Sequence, residues 1–217
     1  MKIRQVELFI ANFEDTRSFY REQLEWNLLD ASEGKATFQI GESLLVLHQD
    51  EESGHYYHFA INIPPNLFQS VKRRVKERVA LLTEDGDDEA DFTESRAKAF
   101  YFADPAGNII EYIARSTTPI AENTLEFSLQ NLIGISEIGV SASDMRLVLD
   151  ELMAMGIHPR NNQEIHEHTY LNFMGEAEDG NYIIVGPVGR RWIFSDKPGR
   201  EAPVIIKTDR GTFRYSI

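Results

Sequence analysis

Glu111 and His58 are the residues of this sequence best placed to do chemistry. Glu111 lies in Phe100-Tyr-Phe-Ala-Asp-Pro-Ala-Gly-Asn-Ile-Ile-Glu-Tyr-Ile-Ala-Arg115, where a strand, a tight turn and a second strand aim one carboxylate into an otherwise apolar segment. A lone buried carboxylate is costly unless it is paired, hydrogen-bonded or bound to a metal. Glu111 therefore needs a partner, and His58 is the nearest candidate in type. It opens His58-Phe-Ala-Ile-Asn-Ile63, whose alternation puts Phe59, Ile61 and Ile63 on one face and His58, Ala60 and Asn62 on the other. The same parity sets Gln5, Glu7 and Phe9 against Val6, Leu8 and Ile10, and Leu44, Val46 and His48 against Leu45 and Leu47. Glu7 and His48 can thus reach a cavity lined by Phe9 and Val46. A desolvated Glu7 could act as general base, because burial raises a carboxylate pKa toward neutrality. Tyr101, on the strand before the turn, could donate a hydrogen bond to a substrate oxygen.

Other polar clusters read more plainly as structure. Glu84 to Asp91 is acidic but lacks the ligand spacing and terminal glutamate of an EF-hand, so it is expected to be a solvated loop. Lys72, Arg73, Arg74, Lys76 and Arg78 fall mostly on the outside of a helix and are most simply its solvated face. His166-Glu167-His168 would present two imidazoles on one face if extended, but a solvated edge is the simpler expectation, and Arg190-Arg191-Trp192 reads as an amphipathic strand end.

The elements that must position these groups form a repeat. Val6, Leu8 and Ile10 mark a strand, Asn12 caps a helix through about Trp26, and strands follow at Ala36 to Ile40 and Ser43 to His48. The order recurs from His58 to Ile63. Pro64-Pro65-Asn66 starts a helix with core spacing at Phe68, Val71, Val75 and Val79, and strands close the unit at Lys98 to Ala103 and Ile109 to Ala114. A linker, residues 116–132, opens with the small and polar stretch Ser116 to Asn123. A looser third copy begins at Ile135 to Val140, continues in a helix from Asp144 to Met155 stopped by Gly156, and has strand patterns at Thr169 to Phe173, Tyr182 to Val185, Arg191 to Phe194 and Val204 to Lys207.

Bulk properties bound the function. The 217 residues are 42% hydrophobic, enough for a full core. A net charge of -13 argues against nucleic-acid or acidic-membrane binding, which needs a positive field. The absence of cysteine excludes disulfides, thiolate metal sites and cysteine nucleophiles, and is compatible with a reducing compartment. No run approaches the roughly 18 apolar residues that suggest a membrane span, and the N-terminus enters a strand pattern with no signal-peptide core. The expectation is a soluble cytoplasmic protein whose partner is a small molecule.

The Asp104-Pro-Ala-Gly-Asn108 turn followed by Glu111, His58 opening the second unit, and Asn12-Phe-Glu-Asp-Thr-Arg-Ser-Phe-Tyr20 together resemble the vicinal oxygen chelate superfamily of glyoxalases, bleomycin-resistance proteins and extradiol dioxygenases. The resemblance covers residues 1–115 and, more weakly, 133 to about 208. It implies an α+β fold of paired βαβββ modules whose curved mixed sheets enclose a cavity, here residues 1–115, with a third degenerate βαβββ-like module over 133–217 that covers the first domain or forms a homodimer contact. It also implies a divalent metal (Zn, Ni, Mn or Fe(II)) held by His58, Glu111 and Gln5. Gln5 stands where the family has a first-strand histidine, and Val46 stands where glyoxalase I has a glutamate. Glu137 takes the first-strand ligand position of the third unit, with no Asp-Pro-Ala-Gly-Asn turn and glutamate after it. The implied functions are a metal-dependent lyase or transferase acting on vicinal oxygens, a non-catalytic binder that sequesters an antibiotic-like compound, or an extradiol-type dioxygenase.

Overall fold

The computed structural model describes residues 1–51, 54–122 and 124–217; Asn123, the end of the polar stretch in the linker, lies outside them. The first unit is β1 (Ile3–Ile10), α1 (Phe13–Ser18), β2 (Asn27–Ser32), β3 (Lys35–Ile40) and β4 (Ser43–Gln49). The second is β5 (His58–Ile63), α2 (Phe68–Lys76), β6 (Ala90–Phe92), β7 (Ala97–Ala103) and β8 (Ile109–Arg115). The third is β9 (Gly134–Ala142), α3 (Met145–Ala154), β10 (Asn172–Met174) and β11 (Tyr182–Pro187), and the hairpin β12 (Val204–Thr208) and β13 (Gly211–Tyr215) follows.

These strands make two curved mixed sheets, one in the order β13-β12-β1-β4-β3-β2 and the other β10-β11-β9-β5-β8-β7-β6. Within each βαβββ unit the first and last strands run parallel, as β1 with β4 and β5 with β8. The units then join through antiparallel first strands. The sequence reading couples the first unit to the second. In the structure the second couples to the third through β5 and β9, and the first to the C-terminal hairpin through β1 and β12.

Several boundaries differ from the periodicity. The first helix ends early: after α1 it widens into a π-type turn, with Leu24 N donating to Phe19 O, and Glu25 turns left-handed at φ 58. Asn12 closes that helix with its backbone carbonyl, which accepts from Thr16 N at 3.1 Å, while its side chain donates to Pro105 O. Arg191 to Phe194, expected as a strand, is a turn with Phe194 at φ 56. Asp144 caps α3 through its side chain, accepting from Leu147 N, and Gly156 stops that helix at φ 76.

Parity puts two cores on the two faces of the seven-stranded sheet. Phe59, Ile61, Ile63, Phe100, Phe102, Ile110 and Tyr112 join Val6, Leu8 and Ile10 and the buried faces of the three helices in the main core. Ala60, Ala99, Tyr101, Ile113, Tyr182 and Ile184 make a second cluster on the opposite face, with Trp192 and Phe194.

Candidate metal centre

The Asp104–Asn108 turn sets the register on which the centre depends. Gly107, at φ 83, allows the chain to reverse, with its N–H donating to Asp104 O at 2.9 Å. Asp104 accepts from Asn108 N at 2.8 Å and from the Tyr20 hydroxyl, which ties the turn to the first helix. Asn108 Oδ1 in turn accepts from Tyr57 N at 2.8 Å, and Ile109 N donates to Tyr57 O at 2.8 Å. The turn thereby pins the start of β8 against the start of β5.

With that register fixed, Glu111 stands directly opposite Ala60, and Ala60 is opposite Glu137 on its other side. Tyr101 pairs with Glu111 and Tyr182 with Glu137, so Tyr101, Glu111, Ala60, Glu137 and Tyr182 form one row across five strands. His58, two residues before Ala60 on the same face, leans over the row. Its Nε2 lies 3.4 Å from Glu111 Oε2 and 3.9 Å from Glu137 Oε2. The small methyl of Ala60 leaves the gap between the carboxylates open. One ligand atom from each of His58, Glu111 and Glu137 can be chosen so that all lie within 4.8 Å of one another, a group that could hold a metal ion.

His58 and Glu137 are each oriented by a partner outside the trio. His58 Nδ1 lies 3.2 Å from Ile109 O; a carbonyl can only accept, so Nδ1 carries the hydrogen and Nε2 is turned toward the carboxylates. Arg115 grips Glu137 Oε1 and also donates to Asn62 Oδ1, leaving Glu137 Oε2 facing the centre. Glu111 has the Tyr101 hydroxyl beside it, which favours its charged form. Its Oε1 is buried with no hydrogen-bond partner, the one such side-chain atom among the described residues.

Electrostatics follow from this geometry. Burial pushes Glu111 up, and the neighbouring Glu137 charge adds to it, to about 7. Burial acts the same way on Glu137, but Arg115 and then His58 outweigh it and hold Glu137 below the usual carboxylate range. For His58 burial favours the neutral ring, yet Glu137 and Glu111 prevail and raise its pKa. Tyr101 is driven well above the ordinary phenol by burial and by both carboxylates, so it keeps its proton.

His58, Glu111 and Tyr101 are thus brought together. Gln5, Glu7, Phe9, Val46 and His48 are grouped in the six-stranded sheet instead, where Glu7 accepts from Gln5 Nε2 and meets His48 Nε2, each at 2.7 Å, with Lys207 Nζ at 3.2 Å. Phe9 stacks on His48 at 4.8 Å. His166 and His168 are exposed, with Glu167 paired to Arg146. Sequence reasoning did not draw Glu137, Arg115 or Trp192 into the site. Glu137 did carry a signal, in its first-strand position; its partners lie in the preceding unit.

Comparisons bear on the fold. The family model of the toxoflavin-degrading enzyme matches residues 135–190. A proposed dioxygenase from Bacillus subtilis is 15% identical with a TM-score of 0.57, the match covering 88% of this chain and 65% of that one. A glyoxalase/bleomycin resistance protein/dioxygenase from Nocardioides is 18% identical with a TM-score of 0.43, covering 57% and 89% of the two chains. Lactoylglutathione lyase from Agrobacterium tumefaciens is 17% identical with a TM-score of 0.43, covering 52% and 92%. No curated protein matches the sequence. The chain has the glyoxalase/bleomycin resistance/dioxygenase fold, that of the vicinal oxygen chelate superfamily. Among the described residues no helix is long and apolar enough to cross a membrane.

Proposed function

We propose that the chain is a divalent-metal-dependent enzyme, of lyase or transferase type, acting on a small molecule with adjacent oxygens, and that His58, Glu111 and Glu137 hold the ion. The observation that carries this reading is the orphaned Glu111 Oε1, buried beside a second carboxylate and an imidazole. A structural cluster would leave no acceptor so exposed to desolvation cost, whereas a cation answers every lone pair aimed at the gap. One imidazole with two carboxylates is a harder donor set than the 2-His-1-carboxylate arrangement of Fe(II) oxygenases, which favours Mn2+ among the four ions considered. The match of residues 135–190 to a toxoflavin-degrading family, a stretch that includes Glu137, supports an enzyme over a passive binder.

A bound divalent ion would supply Lewis acidity, polarising a substrate's oxygens. The chain's own residues do the rest. Ile109 O holds the His58 ring in the tautomer with Nε2 free. Arg115 keeps Glu137 ionised and fixed. Tyr101, protonated and opposite Glu111, is placed to donate a hydrogen bond to a substrate oxygen. Glu7, in the other sheet, does not serve this centre as base.

Calorimetric titration of chelator-treated protein with Mn2+, Zn2+, Ni2+ and Fe(II) tests the assignment. Binding of one ion, weakened in His58→Ala and Glu137→Gln, is expected. If no ion binds wild type more tightly than His58→Ala, the reading is lost. Activity on the methylglyoxal–glutathione hemithioacetal, on catechols and on fosfomycin with thiols then separates the reaction classes.

A further inference from the structure

The face that carries His58, Glu111 and Glu137 is covered by the chain itself. Residues 188–199, between β11 and β12, fold as a tight loop: Trp192 N donates to Lys197 O at 3.0 Å, Gly199 N to Arg190 O at 2.7 Å, and Gly189 N to Gly199 O at 2.8 Å. Trp192 lies over the His58 ring at 4.8 Å, and Phe194 stacks on Tyr101 at 4.7 Å with planes 16° apart. The sheet is cut to receive the indole. Gly139 sits two residues after Glu137, and a Cβ there would stand 2.6 Å from Trp192 Cη2 and 2.8 Å from Cζ2.

The covering leaves His58, Glu111 and Glu137 between 3% and 5% exposed. Rings in contact with His58 and Tyr101 leave no layer for a ligand between them. Yet the loop's polar fastenings are peripheral. Glu84 pairs with Arg191 and accepts from Phe194 N, Lys197 Nζ donates to Gly107 O at 2.5 Å, and Tyr56 OH donates to Pro198 O at 2.5 Å. Exposed charge pairs of this kind hold weakly. Phe194 also sits at φ 56, a conformation a bulky residue adopts only under constraint. Of the glycines at the two ends of the loop, Gly189 at φ 85 suits a hinge, while Gly199 lies where a Cβ would meet Ser141 Oγ.

We infer that residues 188–199 are a lid whose Trp192 and Phe194 rings occupy the space a ligand of the His58–Glu111–Glu137 centre must take, with Glu84 and Arg191 as its latch. This rests on the metal reading of that centre. The closed form is an autoinhibited state, and ligand entry selects the open one.

Two readouts on the full chain test the lid: the rate at which Mn2+ enters metal-free protein, and acrylamide quenching of tryptophan fluorescence without metal. The chain has two tryptophans, and Trp26 is 2% exposed in the main core, so added quenching reports Trp192. Uptake in Trp192→Ala is expected to be about tenfold faster, equivalent to about 1.4 kcal/mol on a barrier. Glu84→Gln and Gly139→Ala, which unlatch the loop and push out the indole, should speed uptake by smaller factors and increase quenching. Normal equilibrium Mn2+ binding, with uptake unchanged in all three variants and quenching unchanged in Glu84→Gln and Gly139→Ala, would overturn the lid. Failure of Mn2+ to bind wild type or any variant at equilibrium instead overturns the metal reading, and the lid's proposed role with it.

Discussion

The two sheets present the same strand plan with opposite charge placement. In the seven-stranded sheet the row across β8, β5 and β9 is Glu111, Ala60, Glu137; in the six-stranded sheet the matching row across β4, β1 and β12 is Val46, Glu7, Ile205. One has two carboxylates flanking a methyl, the other a carboxylate flanked by aliphatic groups. The central Glu7 is reached by Gln5, His48 and Lys207 and is satisfied by the chain alone. The flanking pair converges on a gap in which Glu111 Oε1 is left without a donor. Where the carboxylate stands in the row, more than how many are present, separates a self-contained ion-pair network from a group that could hold a cation.

The sharpest way to break this contrast is to remove ligands from each sheet. Glu111→Ala should weaken Mn2+ binding by at least about 100-fold, the upper range even for residues that only support metal ligands. Gln5→Ala and Glu7→Ala should leave it unchanged in the same titration. Comparable losses from Gln5→Ala would erase the distinction.

A second effect has opposite signs in the two sheets. Folded Glu111 binds its proton more tightly than its ordinary value of 4.5, so stability of the metal-free protein declines as pH rises from there to about 7. His58 is shifted in the same sense and extends the decline above its unfolded pKa. Thermal melts should show a falling Tm across this window. Glu111→Gln should flatten it, with a gain on the order of 2–3 kcal/mol at pH 8. Mn2+ should reverse the slope, because its ligands must be deprotonated. Glu7 is held low, through His48 and Lys207 against the pull of burial, so its contribution is present above 4.5 and lost as pH falls below. An unchanged pH–Tm profile in Glu111→Gln would show that its carboxyl is not the strained group.

The smallest effect belongs to Glu7→Gln, roughly 0.5–1 kcal/mol at neutral pH, since its Lys207 partner is partly solvated and such pairs contribute little. Denaturant unfolding would measure it. A loss several times larger would make the Glu7 cluster a structural keystone rather than a minor contributor.

Local pattern made part of this legible. Alternation placed His58 opposite Phe59 and aimed Glu111 away from Ile110, because a half-buried strand has period two whatever its neighbours are. Strand partnership was not legible. Gln5 and His58 occupy like positions in like units, and sequence alone does not say that β1 closes on β12 while β5 closes on β9. Glu137 was seen as ligand-like but lacked a carboxylate in its own unit. Trp192-Ile-Phe194 alternates as a strand would, yet Gly139 makes a socket that draws the indole out of any ladder.

The pairing of β1 with β12 sets Leu8 beside Val204, nearly the whole chain apart. Such distant partners make folding slow, since loop closure must precede the contact that rewards it. During synthesis the second and third units can meet as soon as β11 has emerged, while β1 keeps one edge bare until β12 follows. An open edge is a template for another chain. Crowded translation or a stalled ribosome therefore exposes the edge of β1 to intermolecular pairing until β12 covers it.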